Sequence, residues 1–299
     1  MKVLITGSNG QLGRELLKSK PKDIEVIAPN STIFNLLNIK ACKDYLIESK
    51  PDWIINAGAY TAVDLAESEP NKAMVINGEA PTELAKTMRG IGGKFLQIST
   101  DFVFDGNSTS PYKPTDEPNP INIYGKSKLF GERGIQEVLR STNQYFIIRT
   151  SWVMGPIGNN FAMTMLKLHK SKENISVVYD QIGCMTSTIS LANICWLIIK
   201  KNHFQNIKSS ILHWCESGVA SWFDIATEIG DLALRLKLIE KSAKVNPIAS
   251  EEYITMAKRP RFSLLDCKET KELLNIENKY WRYSLFEILK EIQLRNILI

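Results

Sequence analysis

The chain has 299 residues, 44% hydrophobic and 23% charged, with a formal net charge of +5. That is an ordinary globular composition, long enough for one large domain or two of usual size. The basic residues are scattered without a block of like charge, which argues against a nucleic-acid partner, and no apolar run approaches the length of a membrane span.

The N-terminal run Met1 to Ile5 is too short for a signal peptide, so the expected compartment is the reducing cytoplasm. Five cysteines, an odd number without Cys-x-x-Cys, predict neither a disulfide framework nor a zinc site. His169, His203 and His213 have no ligand spacing and read as surface or packed side chains.

Lys2 to Thr6 reads as a short buried strand, and Arg14 to Lys18 as helical. Between them lies Gly7-Ser8-Asn9-Gly10-Gln11-Leu12-Gly13. In a strand–turn–helix setting Gly7 would permit the tight turn. Gly10 would let a pyrophosphate approach the backbone, and Gly13 would allow close helix–strand packing. The helix N-terminus would offer its N–H groups to phosphate. The spacing is one residue wider than the common dinucleotide fingerprint.

Glu25 to Ala28 is a second strand. No carboxylate follows it to bind a ribose 2′-hydroxyl, so NADPH is favoured over NADH, or both serve. Trp53 to Asn56 is a third strand, running into Ala57-Gly58-Ala59-Tyr60. Small residues there let a flat ligand lie against the backbone. Pro81 to Met88 reads as a helix. Lys94 to Asp101 is a strand ending in hydroxyls, and a hydroxyl such as that of Thr100 can orient a substrate oxygen. Five residues, Gly106, Pro111, Pro114, Pro118 and Pro120, make Phe102 to Asn122 a loop.

A helix begins near Tyr124. Tyr124 and Lys128 are four apart and would share its face. The ammonium would favour the phenolate and lower the tyrosine pKa, giving a proton donor for a carbonyl oxygen. Tyr145 to Arg149 is a further strand. The second half predicts a helix over Asn160 to Lys170, a strand over Val177 to Gln181, a helix over Leu191 to Lys200 and a strand over Ile211 to Cys215. A helix capped by Ser221 and one over Leu285 to Leu294 follow. Alternating strands and helices imply a parallel, doubly wound α/β sheet.

These pieces, together with Arg149-Thr150-Ser151-Trp152-Val153, Asn159-Asn160-Phe161, Asp180-Gln181-Ile182-Gly183 and Arg259-Pro260, resemble the extended short-chain dehydrogenase/reductase superfamily. Within it they are most similar to the dTDP-4-dehydrorhamnose reductases, in order and spacing over nearly the whole chain. The resemblance implies a Rossmann-type sheet with a smaller α+β substrate lobe. Residues 1–152 and 187–217 would form the dinucleotide-binding part, and 153–186 with 218–299 the lobe.

The implied activity is NADPH- or NADH-dependent reduction of the C4 keto group of dTDP-4-dehydro-L-rhamnose, a step in nucleotide-sugar and surface polysaccharide synthesis. Thr100, Tyr124 and Lys128 match the catalytic trio. Gly7, Asn9, Gly10, Gln11, Leu12 and Gly13 would hold the cofactor from one side. Ala57, Gly58, Ala59 and Tyr60, with Tyr124 and Lys128, would hold it from the other. Thr100, Asp101, Trp152, Asn160 and Arg259 would contact the nucleotide sugar. Asn160 reads equally as a helix cap, and Arg259 would meet the diphosphate.

Members of the family can dimerise through a magnesium site of glutamates. Glu15 and Glu291 fall at such positions, but Ile189 stands where the third belongs and cannot ligate, which argues against the metal. Met185, in place of a proline, and Cys184 leave open another nucleotide-linked 4-keto-6-deoxy sugar. A 4,6-dehydratase is disfavoured, because Asp101 is followed by Phe102. A non-catalytic regulatory subunit of the methionine adenosyltransferase type is a third reading, disfavoured by the intact trio.

Overall fold

In the computed structural model, which describes residues 1–142, 144–201 and 209–295, strands and helices alternate through the first half. The elements are β1 (Lys2–Thr6), α1 (Gln11–Lys18), β2 (Glu25–Ile27), α2 (Ile39–Ser49) and β3 (Trp53–Asn56). They continue with α3 (Val63–Ser68), α4 (Pro70–Met74), α5 (Ala80–Gly90), β4 (Lys94–Thr100), α6 (Ile123–Leu139) and β5 (Tyr145–Thr150). A π-helical turn, Val75–Glu79, joins α4 to α5.

Shorter strands punctuate the second half: β6 (Val153–Met154), α7 (Phe161–Ser171), β7 (Asn174–Val178), β8 (Ile182–Gly183), β9 (Thr186–Ser187) and α8 (Thr188–Lys200). Then come β10 (Ile211–Trp214), β11 (Ala220–Ser221), α9 (Trp222–Arg235), β12 (Lys244–Ile248), α10 (Lys268–Leu274) and α11 (Trp281–Leu294).

Six strands make one sheet in the order β10-β5-β4-β3-β1-β2, and every pairing in it is parallel. The Rossmann-type doubly wound sheet expected from the alternation is present. Its strands are apolar on both faces, as a sheet covered on both sides requires. Val3 and Ile5 pack with Leu12 and Leu16 of α1 and Ile198 of α8. Leu4, Ile54, Phe95 and Ile147 pack on the opposite side with Leu46, Leu84 and Ile135 of α2, α5 and α6.

The remaining strands form three two-stranded pairs: β7 with β12, β8 with β11, and β6 with β9. The strand expected over 177–181 lies earlier, at Asn174–Val178, because its five residues pair in register with Lys244–Ile248. Asp180 falls beyond it and accepts hydrogen bonds from Ser250 N and Oγ at 2.9 and 2.6 Å.

Side-chain caps fix several helix starts. Asn122 caps α6 and Ser221 closes a capping box on α9. Among the described residues no helix is long and apolar enough to cross a membrane. The cysteines are free and buried. His169 and His213 are buried too, while His203 lies outside the described residues.

Candidate active site

The strand order reverses between β1 and β3, and ligands of such sheets lie outside the carboxyl ends at that point. Here Gly7 and Gly58 face one another. Gly7 has φ +63°, and a Cβ on it would lie 2.7 Å from the Gly58 Cα. A Cβ on Gly13 would meet the Gly7 carbonyl at 2.2 Å, so α1 can approach β1 only without that carbon. Gly10 begins the helix with no side-chain cap. The first N–H groups of α1 therefore remain directed at whatever lies before them.

A row of buried polar groups runs along the carboxyl edge of the sheet. Thr6 Oγ1 donates to Asn56 Oδ1 at 2.6 Å, and Asn56 Nδ2 donates to Gln97 Oε1 at 2.8 Å. Gln97 Nε2 and Lys128 Nζ both donate to the Ile98 carbonyl at 2.7 Å. Gly58 N donates to Thr6 Oγ1 at 2.9 Å, fixing the loop that carries Ala57 and Ala59. Asn77, in the π-helical turn, accepts from Tyr60 N at 2.8 Å and donates to Ser127 Oγ at 3.0 Å. It thereby ties that loop to α6.

Thr100, Tyr124 and Lys128 come together where β4 ends against the first turns of α6. Thr100 Oγ1 lies 3.0 Å from Asp101 Oδ1 and accepts from Phe102 N at 3.2 Å. Asp101 is only 2% exposed. Burial pushes its carboxyl up to about 6, against hydrogen bonds from Ser263 and Thr100.

Tyr124 departs from the expectation of a lowered pKa. Burial pushes its phenol up to about 12, a hydrogen bond with Thr100 opposes the rise and Asp101 adds to it. Lys128 does not reverse this: its ammonium is held on the Ile98 carbonyl, and burial brings Lys128 itself down to about 8. The phenol is thus fully protonated at neutral pH.

Three further residues have partners within the protein. Asn160 caps α7 by accepting from Met163 N at 3.0 Å. Its amide nitrogen donates to Gln11 Oε1 at 2.8 Å and to the Gly155 carbonyl at 2.9 Å, so both ends are engaged within the protein. Arg259 is not a free cation. It forks onto Asp64 at 3.2 and 2.7 Å, and this pairing holds the Asp64 carboxyl below its ordinary range. Trp152 has φ +47° and stacks on Trp222, with ring centroids 3.9 Å apart and planes inclined by 19°. Neither Asp64 nor Trp222 stood out in the sequence as a partner, since each meets its counterpart only through the fold.

The residues that would hold magnesium do not fit the ion. Glu15 and Glu291 share Lys18, whose Nζ pairs with Glu291 and lies 3.9 Å from Glu15. Arg295 also pairs with Glu291. Two internal cations thus engage the glutamates, and Ile189 has no oxygen to offer a metal.

Residues 1–294 match the family profile described as RmlD substrate binding domain. The chain is 37% identical to the dTDP-4-dehydrorhamnose reductase of Aggregatibacter actinomycetemcomitans, over 96% of this chain and 98% of that one. The crystal structure of a dTDP-4-dehydrorhamnose reductase from Clostridium acetobutylicum superimposes with a TM-score of 0.88, at 39% identity over 98% of this chain and 100% of that one. That of the Bacillus anthracis enzyme in complex with NADP gives 0.88, at 34% identity over 97% and 99%. In sequence and in fold the chain belongs to the RmlD substrate binding domain family, together with these dTDP-4-dehydrorhamnose reductases.

Proposed function

We propose that this chain reduces the C4 keto group of dTDP-4-dehydro-L-rhamnose to give dTDP-L-rhamnose, using NADPH or NADH. The observation that carries this reading is the meeting of Thr100, Tyr124 and Lys128 beside a glycine cradle, in a chain that matches such reductases from end to end.

The dinucleotide fits the residues present. The Gly7 turn and the uncapped start of α1 would hold the pyrophosphate, with the Cβ-free face of Gly58 beside it. When bound, the reduced nicotinamide supplies the hydride for the carbonyl carbon. Tyr124, protonated in the resting protein, gives its proton to the carbonyl oxygen, so that one hydride and one proton complete the alcohol. Thr100 orients the same oxygen through its hydroxyl. The ammonium of Lys128, held on the Ile98 carbonyl, would bind the nicotinamide ribose. Trp152 offers an aromatic face to the sugar, and Asp101 lines the pocket beside Thr100.

The phenol carries its proton in the resting protein, the form that donation requires, although a pKa pushed up to about 12 makes it a weaker acid than a tuned tyrosine. The test is oxidation of NADPH, followed by absorbance, on mixing the protein with dTDP-4-dehydro-L-rhamnose. Turnover with identification of dTDP-L-rhamnose supports the reading. No turnover with that sugar, but turnover with another nucleotide-linked 4-keto-6-deoxy sugar, would move the assignment within the same chemistry.

A further inference from the structure

The face of α6 that carries Tyr124 and Lys128 has a third polar residue, Glu132, again four positions on. Its side chain is completely buried and that of Arg149, on β5, is 2% exposed. Arg149 Nε lies 3.1 Å from both Glu132 oxygens, and Nη2 lies 2.7 Å from Oε2. Ser99 Oγ donates to Oε1 of the same carboxylate. The guanidinium also lies 5.2 Å from the centroid of the Phe104 ring. Ser99 directly precedes Thr100 and pairs in register with Arg149. One carboxylate therefore holds β4, β5 and α6 at the level of the catalytic trio.

Stability alone is a poor reason for this arrangement. Desolvating two such ions costs as much as their attraction returns, and apolar replacements are often equally stable. We infer that Ser99, Glu132 and Arg149 are positioning residues for the reduction: the ion pair and its hydroxyl partner set Tyr124 and Lys128 against Thr100, with the Glu132 carboxylate one helical turn beyond the Lys128 ammonium. This rests on the reading of Tyr124 and Lys128 as proton donor and its cationic neighbour.

The charged groups on α6 and the elements packed about it are several. Glu132 lies on the same helix as Lys128, Asp101 follows β4, and Arg149 projects from β5. Glu67 of α3 accepts from Ile123 N at 2.8 Å, at the start of α6. His213 sits beside Arg149 on β10. Burial and that guanidinium hold His213 down to about 3, so it adds no charge. Burial lowers Lys128, and Glu132 is the charge that resists it. Arg149 in turn tempers Glu132. Removing the carboxylate and removing the guanidinium must therefore move Lys128 in opposite directions.

The experiment is the pH dependence of kcat for reduction of the keto sugar nucleotide by NADPH. Glu132→Gln is expected to bring the alkaline limb down by about one pH unit, and Arg149→Met to raise it by a similar amount. Glu132→Asp, which keeps the charge but shortens the reach, should lower kcat and leave the limb in place. A merely structural ion pair would lower thermal stability in these variants without opposed shifts of the limb. Unmoved limbs in variants that melt cooperatively and bind NADPH overturn the inference. Should one charge-removing variant not fold, the direction of the other decides alone. Tyr124→Phe run alongside separates the two levels. Full turnover in that variant sinks the underlying reading, whereas its inactivity with unmoved limbs sinks only the positioning role.

Discussion

Burial raises the pKa of both Tyr124 and Asp101. Burial keeps the phenol protonated, so Tyr124→Phe removes the donor without removing a charge. We expect kcat to fall on the order of 10²-fold or more, with NADPH affinity little changed. Steady-state kinetics with a binding titration check this, and unchanged turnover would take Tyr124 out of the mechanism. The Asp101 carboxyl is raised in the folded protein from 3.8 to about 6. The folded state then holds the proton more tightly than the unfolded chain. The contribution is present below about pH 4 and lost as pH rises through 6. Asp101→Asn, neutral throughout, should stabilise the fold relative to wild type at pH 8 by on the order of 2–3 kcal/mol, and not at pH 4. Thermal melts at the two pH values decide; equal changes at both would count against the buried, raised carboxyl. At this scale the sequence could be read for identity but not for environment. Tyr124 and Lys128 share a face as their spacing implied, yet the direction of the phenol's shift depended on burial and on Lys128 meeting the Ile98 carbonyl, which spacing does not encode.

The elements that carry the site differ in how openly they announce themselves. The strand–turn–helix at the N-terminus was legible because its glycines have no substitute: the Gly7 turn and the contact of Gly13 with the Gly7 carbonyl each exclude a side chain. The start of α6 was legible to within a residue. Its cap is Asn122, whose Oδ1 accepts from Gly125 N at 2.7 Å and whose Nδ2 donates to the Lys258 carbonyl at 2.8 Å. Asn122→Ala should cost about 1–2 kcal/mol in urea unfolding. A loss well below that range would show that tertiary packing, not the cap, defines this helix start. Glu132 could have been found, being one more step along the stripe of Tyr124 and Lys128. Arg149 gave a signal too, as a charge at the end of the apolar strand Tyr145–Thr150, which demands a buried partner. Which partner it meets required the sheet register. The π-helical turn holding Asn77 left no mark that periodicity could detect.

Across the whole molecule, distant segments meet where the sequence offers no pairing rule. Lys18 and Glu291 are 273 positions apart, and their pairing joins α1 to α11. Because Lys18 and Arg295 already neutralise these carboxylates, chelation should leave oligomeric state, melting temperature and turnover unchanged. Size-exclusion, melting and assay in EDTA against magnesium check this; dissociation or inactivation in EDTA would refute it. The Asp64–Arg259 fork spans 195 positions and has a different consequence. Arg259 already has an anionic partner before any ligand arrives. A diphosphate reaching it would exchange one anion for another, and the gain would be only the difference between the two. Asp64 would lose the guanidinium but keep the Ala257 N–H at 3.1 Å, and the Lys258 carbonyl would stay on Asn122, so the 257–259 segment stays fastened while the cation changes partner. Charge recognition at that position is therefore an exchange of anions on a held segment.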